Sequence, residues 1–316
     1  ADTVPAAGFS ITQKSVKGLG NAFAGAAAVA EDASTIYFNP AGLTRLSGNQ
    51  VQAGVHIFSY SLKFSDDGST TVGKQPLTGG EGGNAGKLGA IPNFFYAHSI
   101  SDSLKVGIGI VSPFGTATEY NSNWVGRYYT IKSELLTIDI NPNVAYRINK
   151  MWSIGGGVSA QYLDAELTSA IDYGTIMSGS PSREADGESK IKGDGNWGYG
   201  FNLGVLFELS EATRFGVAYR SEISYDVEGE ADFTTPKEAT PIAVANNLVD
   251  TDVKSNIDLP ASLSVSGYHQ LTHKWAVMAD ITWTDWSTFE ELRIKYDSGA
   301  EDSVSTLDLD DKDTFC

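Results

Sequence analysis

Apolar and polar residues alternate with period two over long stretches of this chain. The clearest run is Leu136 to Ile148, with Leu136, Ile138, Ile140, Pro142, Val144, Tyr146 and Ile148 on one side and Thr137, Asp139, Asn141, Asn143, Ala145 and Arg147 on the other. A second run places Phe215, Val217, Tyr219, Ser221, Ile223, Tyr225 and Val227 on one side, and Arg214, Gly216, Ala218, Arg220, Glu222, Ser224, Asp226 and Glu228 on the other. Such runs exceed the five or six residues usual in soluble sheets. They suit tilted bilayer crossings, which take about nine to eleven residues. The same signals predict about nine strands, near 51–64, 90–100, 104–111, 133–148, 152–165, 194–208, 213–228, 255–269 and 274–284.

The connections sort by length. Short turns at 101–103, 149–150, 210–212 and 270–273 alternate with long loops at 65–89, 112–132, 166–193 and 229–254, rich in Gly, Ser, Asp and Pro. Tight turns at one end and long loops at the other are the arrangement of outer-membrane β-barrels; a soluble sandwich has no reason to adopt it. Tyr146, Trp152, Phe207, Phe215, Tyr268 and Trp275 fall beside the short turns, where an interfacial girdle belongs. Two irregularities interrupt the pattern. The apolar side moves from Val51, Ala53, Val55 and Ile57 to Phe58, Tyr60, Leu62 and Phe64, as one extra residue in a β-bulge would cause. Ser112-Pro113-Phe114-Gly115 should break pairing at the top of the third strand, because Pro113 cannot donate to a ladder.

The stretch Ala7 to Leu46 has no such alternation. It is small-residue-rich, carries Leu19, Phe23, Ile36, Phe38 and Leu43, and ends in Asn39-Pro40-Ala41. A compact apolar segment ahead of an all-β body predicts a plug, giving residues 1–48 as a hatch and 49–316 as barrel. Its Gly18-Leu19-Gly20, Glu31-Asp32-Ala33 and Asn39-Pro40-Ala41 steps resemble the hatch of the FadL/TodX family of outer-membrane channels for hydrophobic compounds. The likeness continues through Pro113-Phe114-Gly115, Thr118-Glu119-Tyr120, Trp124-Val125-Gly126-Arg127-Tyr128, Trp197-Gly198-Tyr199-Gly200, Tyr219-Arg220-Ser221, Leu259-Pro260 and Trp283-Thr284-Asp285-Trp286-Ser287.

The resemblance implies a transmembrane antiparallel barrel of fourteen strands with the hatch in its lumen. It implies passive uptake of hydrophobic compounds, long-chain fatty acids first, by binding in the lumen and sideways release through the kink of the third strand. The candidate binding and transport residues are Phe9, Asn39, Pro40, Ala41, Ser112, Pro113, Phe114, Gly115, Trp124, Arg127 and Tyr128, with Tyr129, Trp197, Trp283 and Trp286 as further aromatic lining. Arg127, Arg220 or Arg293 could hold a carboxylate; since 162–173 has no Lys or Arg, an alkane or aromatic hydrocarbon is the alternative cargo. The expected setting is the outer membrane of a Gram-negative bacterium, as a monomer against outer-membrane lipid and lipopolysaccharide. From other classes, a general porin would lack the hatch, and a surface β-sandwich would bury both girdles.

Composition narrows the chemistry. Hydrophobic residues make up 41% of the 316 residues and the mean hydropathy is −0.16, with no apolar run of eighteen residues for a membrane helix. A net charge of −17 argues against nucleic acid as a partner. The single cysteine, Cys316, permits no disulfide framework, and His56, His98, His269 and His273 lack metal-ligand spacing. Neither a nucleophile elbow nor a dinucleotide motif is present, so neither enzymatic activity nor a cofactor is expected. Asp297 to Asp313 reads as a solvated loop. The chain opens on Ala1 without an initiator Met, as after signal-peptide removal. The likeness runs to Asp313-Thr314-Phe315-Cys316, where a family member would begin another strand. The expectation is a barrel lacking about five strands, which as written would not form a working channel.

Overall fold

The computed structural model describes residues 9–71, 73–289, 291–306 and 313–315. Three single-turn helices come first: α1 (Val16–Leu19), α2 (Ala26–Val29) and α3 (Thr35–Phe38). A 3-10 stretch, Pro40–Arg45, leads into the sheet. Its strands are β1 (Gln50–Ser59), β2 (Leu88–Ser99), β3 (Leu104–Val111), β4 (Gly115–Glu119), β5 (Lys132–Arg147), β6 (Trp152–Asp172), β7 (Asp186–Glu208), β8 (Thr213–Arg220), β9 (Ile223–Thr234), β10 (Thr251–Leu259), β11 (Ser262–Gln270), β12 (Ala276–Asp285), β13 (Glu291–Tyr296), β14 (Ser303–Thr306) and β15 (Asp313–Phe315). Helices α4 (Tyr173–Ser178) and α5 (Thr240–Ala245) cap the β6–β7 and β9–β10 connections. The strands form one antiparallel sheet in the order β1-β2-β3-β5-β6-β7-β8-β11-β12-β15, with β4 on β5, and β9 and β10 above β8 and β11. No helix among the described residues is long and apolar enough to cross a membrane.

The sheet is inside-out relative to a soluble protein. On β5, Thr137, Asp139, Asn141 and Asn143 are buried, while Leu136, Ile138, Val144 and Tyr146 face out. The buried amides satisfy each other: Asn141 Nδ2 donates to Asn202 Oδ1 at 2.9 Å, and Asn202 Nδ2 to Asn143 Oδ1 at 2.9 Å. An apolar outer face over a polar inner one is what lipid selects in a barrel wall. On β7, outward residues run from Phe207 through Val205, Leu203, Phe201 and Tyr199 to Trp197. At about 3.3 Å per residue and a tilt near 40°, that row spans a band of about 25 Å.

The N-terminal segment lies against the polar face of this sheet. Gly25 N donates to Asp280 Oδ1 of β12 at 2.9 Å, and Val16 abuts Gly54 of β1. Touching strands at both flanks of the order requires the sheet to curl around it. Glycines make the approach possible: a Cβ at Gly155 would come 2.5 Å from Ala41 N, and one at Gly204 or Gly216 would collide with Asn39 Oδ1 or Ala27 O. Arg214 Nε and Nη2 donate to Ala28 O and Val29 O at 2.6 Å each, and Ser266 Oγ accepts from Ala27 N at 3.1 Å. Ile36, Leu43 and Leu46 pack onto Phe95, Val111 and Ala145.

Several sequence expectations need correction. Strand β1 pairs with β2 without a bulge from Gln50↔Ala97 to Ser59↔Leu88, so Phe58 continues the inward row, and Tyr60, Leu62 and Phe64 have left the ladder. The predicted strand 213–228 is two, β8 and β9, broken at Ser221 and Glu222, and its faces switch there: Phe215 and Val217 point out, whereas Ile223, Tyr225 and Val227 are buried. The strand 255–269 is broken likewise at Pro260, where the missing amide ends pairing. Residues 166–193 and 229–254 are not plain loops, since β6, β7, β9 and β10 extend into them as long hairpins. Tyr268 leaves the girdle: it is buried, with the Arg214 guanidinium 3.6 Å from its ring centre. The loop expected over 297–313 carries β14, and 307–312 lie outside the described residues.

Candidate functional site

The third strand does break where Pro113 predicts. Strand β3 ends at Val111, and β4 resumes at Gly115 in a ladder with β5, while the remaining half of β2, Leu88–Asn93, ladders with β1 alone; above it the Gly86–Thr118 bridge and Glu119 N donating to Ala85 O at 3.1 Å close the top of the interval. The wall therefore parts between β2 and β4. Thr137 organises the break: Ser112 Oγ donates to Thr137 O at 2.6 Å, Phe114 N donates to Thr137 Oγ1 at 3.0 Å, and Thr137 N donates to Phe114 O at 3.1 Å.

The backbone groups freed at Pro113 and Gly115 are taken up by the chain's own N-terminal residues. Ile11 N donates to Pro113 O at 2.8 Å and Gly115 N to Phe9 O at 3.0 Å, with Ser10 and Phe114 as the facing pair. Unpaired backbone groups in a wall facing lipid are costly, which accounts for this added strand. A cavity of about 620 Å³ fills the parting, with Ser10, Ile11, Phe58, Leu88, Ile91 and Leu136 among its lining. Its rim carries the ion pairs Lys87–Glu119 at 2.6 Å and Lys132–Glu134 at 2.8 Å.

Phe9 is also the centre of an aromatic nest, with ring centroids 5.9 Å from Phe114, 5.1 Å from Trp286 and 5.4 Å from Phe289. The nest opens onto buried Leu163, Ile223, Tyr225, Ile257 and Leu259. Beside the added strand, Lys14 Nζ donates to Ile11 O and lies 4.5 Å over the Tyr37 ring, which Arg220 also covers at 4.0 Å. Burial, with the Arg220 charge adding to it, lowers the Lys14 pKa to about 7.

The remaining candidates fall elsewhere. Asn39 is buried near the short-turn end, its Nδ2 donating to Ala27 O at 2.7 Å and Val205 O at 3.0 Å and its Oδ1 accepting from Ala41 N at 3.1 Å; Pro40 and Ala41 seat against Gly155. Arg127 is almost wholly buried among the long loops. Its Nε donates to Asp186 Oδ2 at 2.6 Å, its Nη2 to Tyr128 Oη at 2.7 Å and its Nη1 to Thr78 O, while Tyr128 Oη donates to Asp186 Oδ1 at 2.6 Å. Burial, reinforced by the bond to Asp186, raises the Tyr128 pKa. Trp124 stacks on Tyr120 at 3.9 Å and meets Phe64 edge-on. Thus Phe9, Ser112, Pro113, Phe114 and Gly115 assemble with Trp286, whereas Trp124, Arg127 and Tyr128 form a separate loop core and Trp197 and Tyr129 face outward. Ser10, Ile11, Lys14 and Phe289 belong to the site without a motif to mark them; only Phe58, apolar on an inward row, was a visible signal. No cluster of possible metal ligands occurs among the described residues.

The family model described as outer membrane protein transport protein (OMPP1/FadL/TodX) matches residues 1–316. A long-chain fatty acid transport protein of Escherichia coli is 32% identical, over 93% of this chain and 69% of its own length. A putative outer membrane protein of Neisseria meningitidis is also 32% identical, over 94% and 68%. Among solved structures, a Pseudomonas aeruginosa FadL homologue superposes with a TM-score of 0.87 at 22% identity, covering 98% of this chain and 76% of that one. The P. putida toluene transporter TodX superposes at 0.66 and 19% identity, over 89% and 72%.

Proposed function

This chain belongs to the OMPP1/FadL/TodX family of outer-membrane transport proteins, and on that premise we propose that it takes up long-chain fatty acids, binds them in the lumen and releases them sideways through the parting between β2 and β4. Family members are channels for hydrophobic compounds in the Gram-negative outer membrane and are not enzymes. The observation that carries the reading is the strand added by Phe9–Ile11 at the broken third strand, next to a lipid-facing cavity of about 620 Å³. Residues 1–48 act as the hatch. A ligand entering the Phe9 nest competes with Phe9 for Trp286 and Phe289, pulls Phe9 O away from Gly115 N, and so frees the parting. Transport runs down a concentration gradient, by a monomer surrounded by outer-membrane lipid and lipopolysaccharide.

One observation favours a second cargo. The groups around Phe9 are aromatic or aliphatic, and the nearby cations Lys14 and Arg220 are already engaged by Ile11 O, Tyr37 and Asp139. A neutral aromatic hydrocarbon would need no cation there. Displacement of a fluorescent fatty acid from the purified protein separates the two: oleate displacement that falls about tenfold in Phe9→Ala supports the fatty-acid reading. Displacement by toluene and not by oleate selects the hydrocarbon, and binding unchanged in Phe9→Ala removes the nest from the mechanism.

A further inference from the structure

The wall has a second seam that the broken third strand does not explain. Strand β7 pairs with β8 up to Asn202↔Arg220 and with β9 from Gly193↔Gly229 onward. Between those points, 194–201 and 221–228 face each other without a ladder. Individual hydrogen bonds clasp the two ends of the interval. At one end Ser221 N donates to Phe201 O at 2.9 Å, and Ser221 Oγ accepts from Phe201 N at 2.9 Å. At the other, Asn196 stands in for a peptide group, its Nδ2 donating to Glu228 O at 3.2 Å and its Oδ1 accepting from Glu228 N at 3.0 Å.

The alternation of a strand then fixes what lies in the middle. Tyr199 and Trp197 turn their backbone groups to the same side as Phe201, and Asp226 and Ser224 to the same side as Glu228. These groups have no ladder partner across the seam among the described residues. Ile223 and the ring of Tyr225, whose Oη donates to Gln161 Oε1 at 2.6 Å, cover the interval instead. A Cβ at Gly198 would run into Ile223 and come 2.9 Å from Tyr225, and one at Gly200 would come 2.8 Å from Ile223, so both side chains lie across the glycines. Ile223 and Tyr225 belong to the apolar cluster beside Phe9, and Trp197, Tyr199 and Phe201 are exposed on the outer side. Across the middle of the seam, Ile223 and Tyr225 stand between the lumen and the extracellular-leaflet end of the lipid-facing band, with no ladder pair among the described residues.

We infer that this β7–β9 seam is a second lateral opening, which admits a single alkyl chain from the bilayer when Ile223 and Tyr225 change rotamer. The inference rests on the transport reading but concerns a different wall position, with its own residues. The backbone groups of Trp197, Tyr199, Ser224 and Asp226, which have no ladder pair across the seam among the described residues, would offer donors and acceptors to a polar head at the membrane surface. An interval held at its ends by the Ser221–Phe201 and Asn196–Glu228 contacts can part in the middle without unzipping either strand.

The test uses vesicles whose phospholipid carries a diazirine in one acyl chain. The lipid stays in the bilayer, so only a chain entering an opening reaches inward residues. After photolysis of the unaltered protein, adducts on Ile223 or Tyr225, alongside those on Ile11 at the β2–β4 parting, are expected. In Ile223→Ala, Tyr225 labelling should rise several-fold while Ile11 labelling stays constant. Adducts on Ile11 with only outward labels at Trp197, Tyr199 and Phe201 would overturn the second opening and leave the first. Absence of adducts from Ile11, Ile223 and Tyr225 alike would overturn both.

Discussion

Arg127 has almost no solvent contact and holds Asp186, Tyr128 and a carbonyl of the 65–87 loop at once. Its position argues for tying the long loops together. Removing one partner of a buried pair strands the other, at about 3–5 kcal/mol. Arg127→Ala should therefore make 120–131 cleavable by added protease, with Arg127→Lys intermediate because a lysine cannot reproduce the fork. Unchanged protection in both would contradict a clamp. Lys14 gives a pH signature. Its pKa falls from 10.5 unfolded to about 7 folded, so between those values the unfolded chain binds more protons and stability rises with pH. The penalty is complete below pH 7 and vanishes above the unfolded pKa. Thermal midpoints in detergent should climb from pH 7 to 10, and Lys14→Met should flatten that climb.

Strand β5 could be read residue by residue because lipid and lumen impose opposite polarity on its two faces. The 213–228 run misled because Ser221 and Glu222 contain neither Gly nor Pro, and apolar residues lie outward below the break and inward above it. Period alone cannot register such a switch, although Pro260 on the partner strands marks the same level. The supposed bulge at Phe58 had the opposite cause: the strand is regular, and an apolar residue points inward because it lines the cavity. Sites in an inside-out protein appear as apolar residues on the polar row. The N-terminal segment is legible in the sequence as an element apart from the strands, but its seating is not, because the glycines receiving it lie on distant strands. Gly216→Val should clash with Ala27 O, loosen the hatch and raise ion conductance in planar bilayers; conductance equal to wild type would show that the contact does not hold it.

For the molecule as a whole, a curled sheet with an apolar exterior carries on its polar face a segment that also bonds to the backbone at the break in its wall. The family and the outer-membrane setting were legible from motifs spread along the chain, since those motifs mark breaks and glycine seats that the architecture requires. The partnership of Phe9–Ile11 with Pro113–Gly115 was not, because backbone bonding leaves no side-chain signature. That partnership is also where the transport account is most exposed. Ser10 and Phe114 face each other between two flanking backbone hydrogen bonds, the close pair of an antiparallel ladder, with Cα atoms about 4.5 Å apart. That spacing accepts a disulfide. The decisive measurement is fatty-acid transfer into vesicle bilayers by Ser10→Cys/Phe114→Cys, with Cys316→Ser, in a barrel completed with the C-terminal strands of a family member, before and after reduction. The account predicts transfer at least about tenfold slower when oxidised and restored by reductant. Equal rates in both states would contradict release through the third-strand parting.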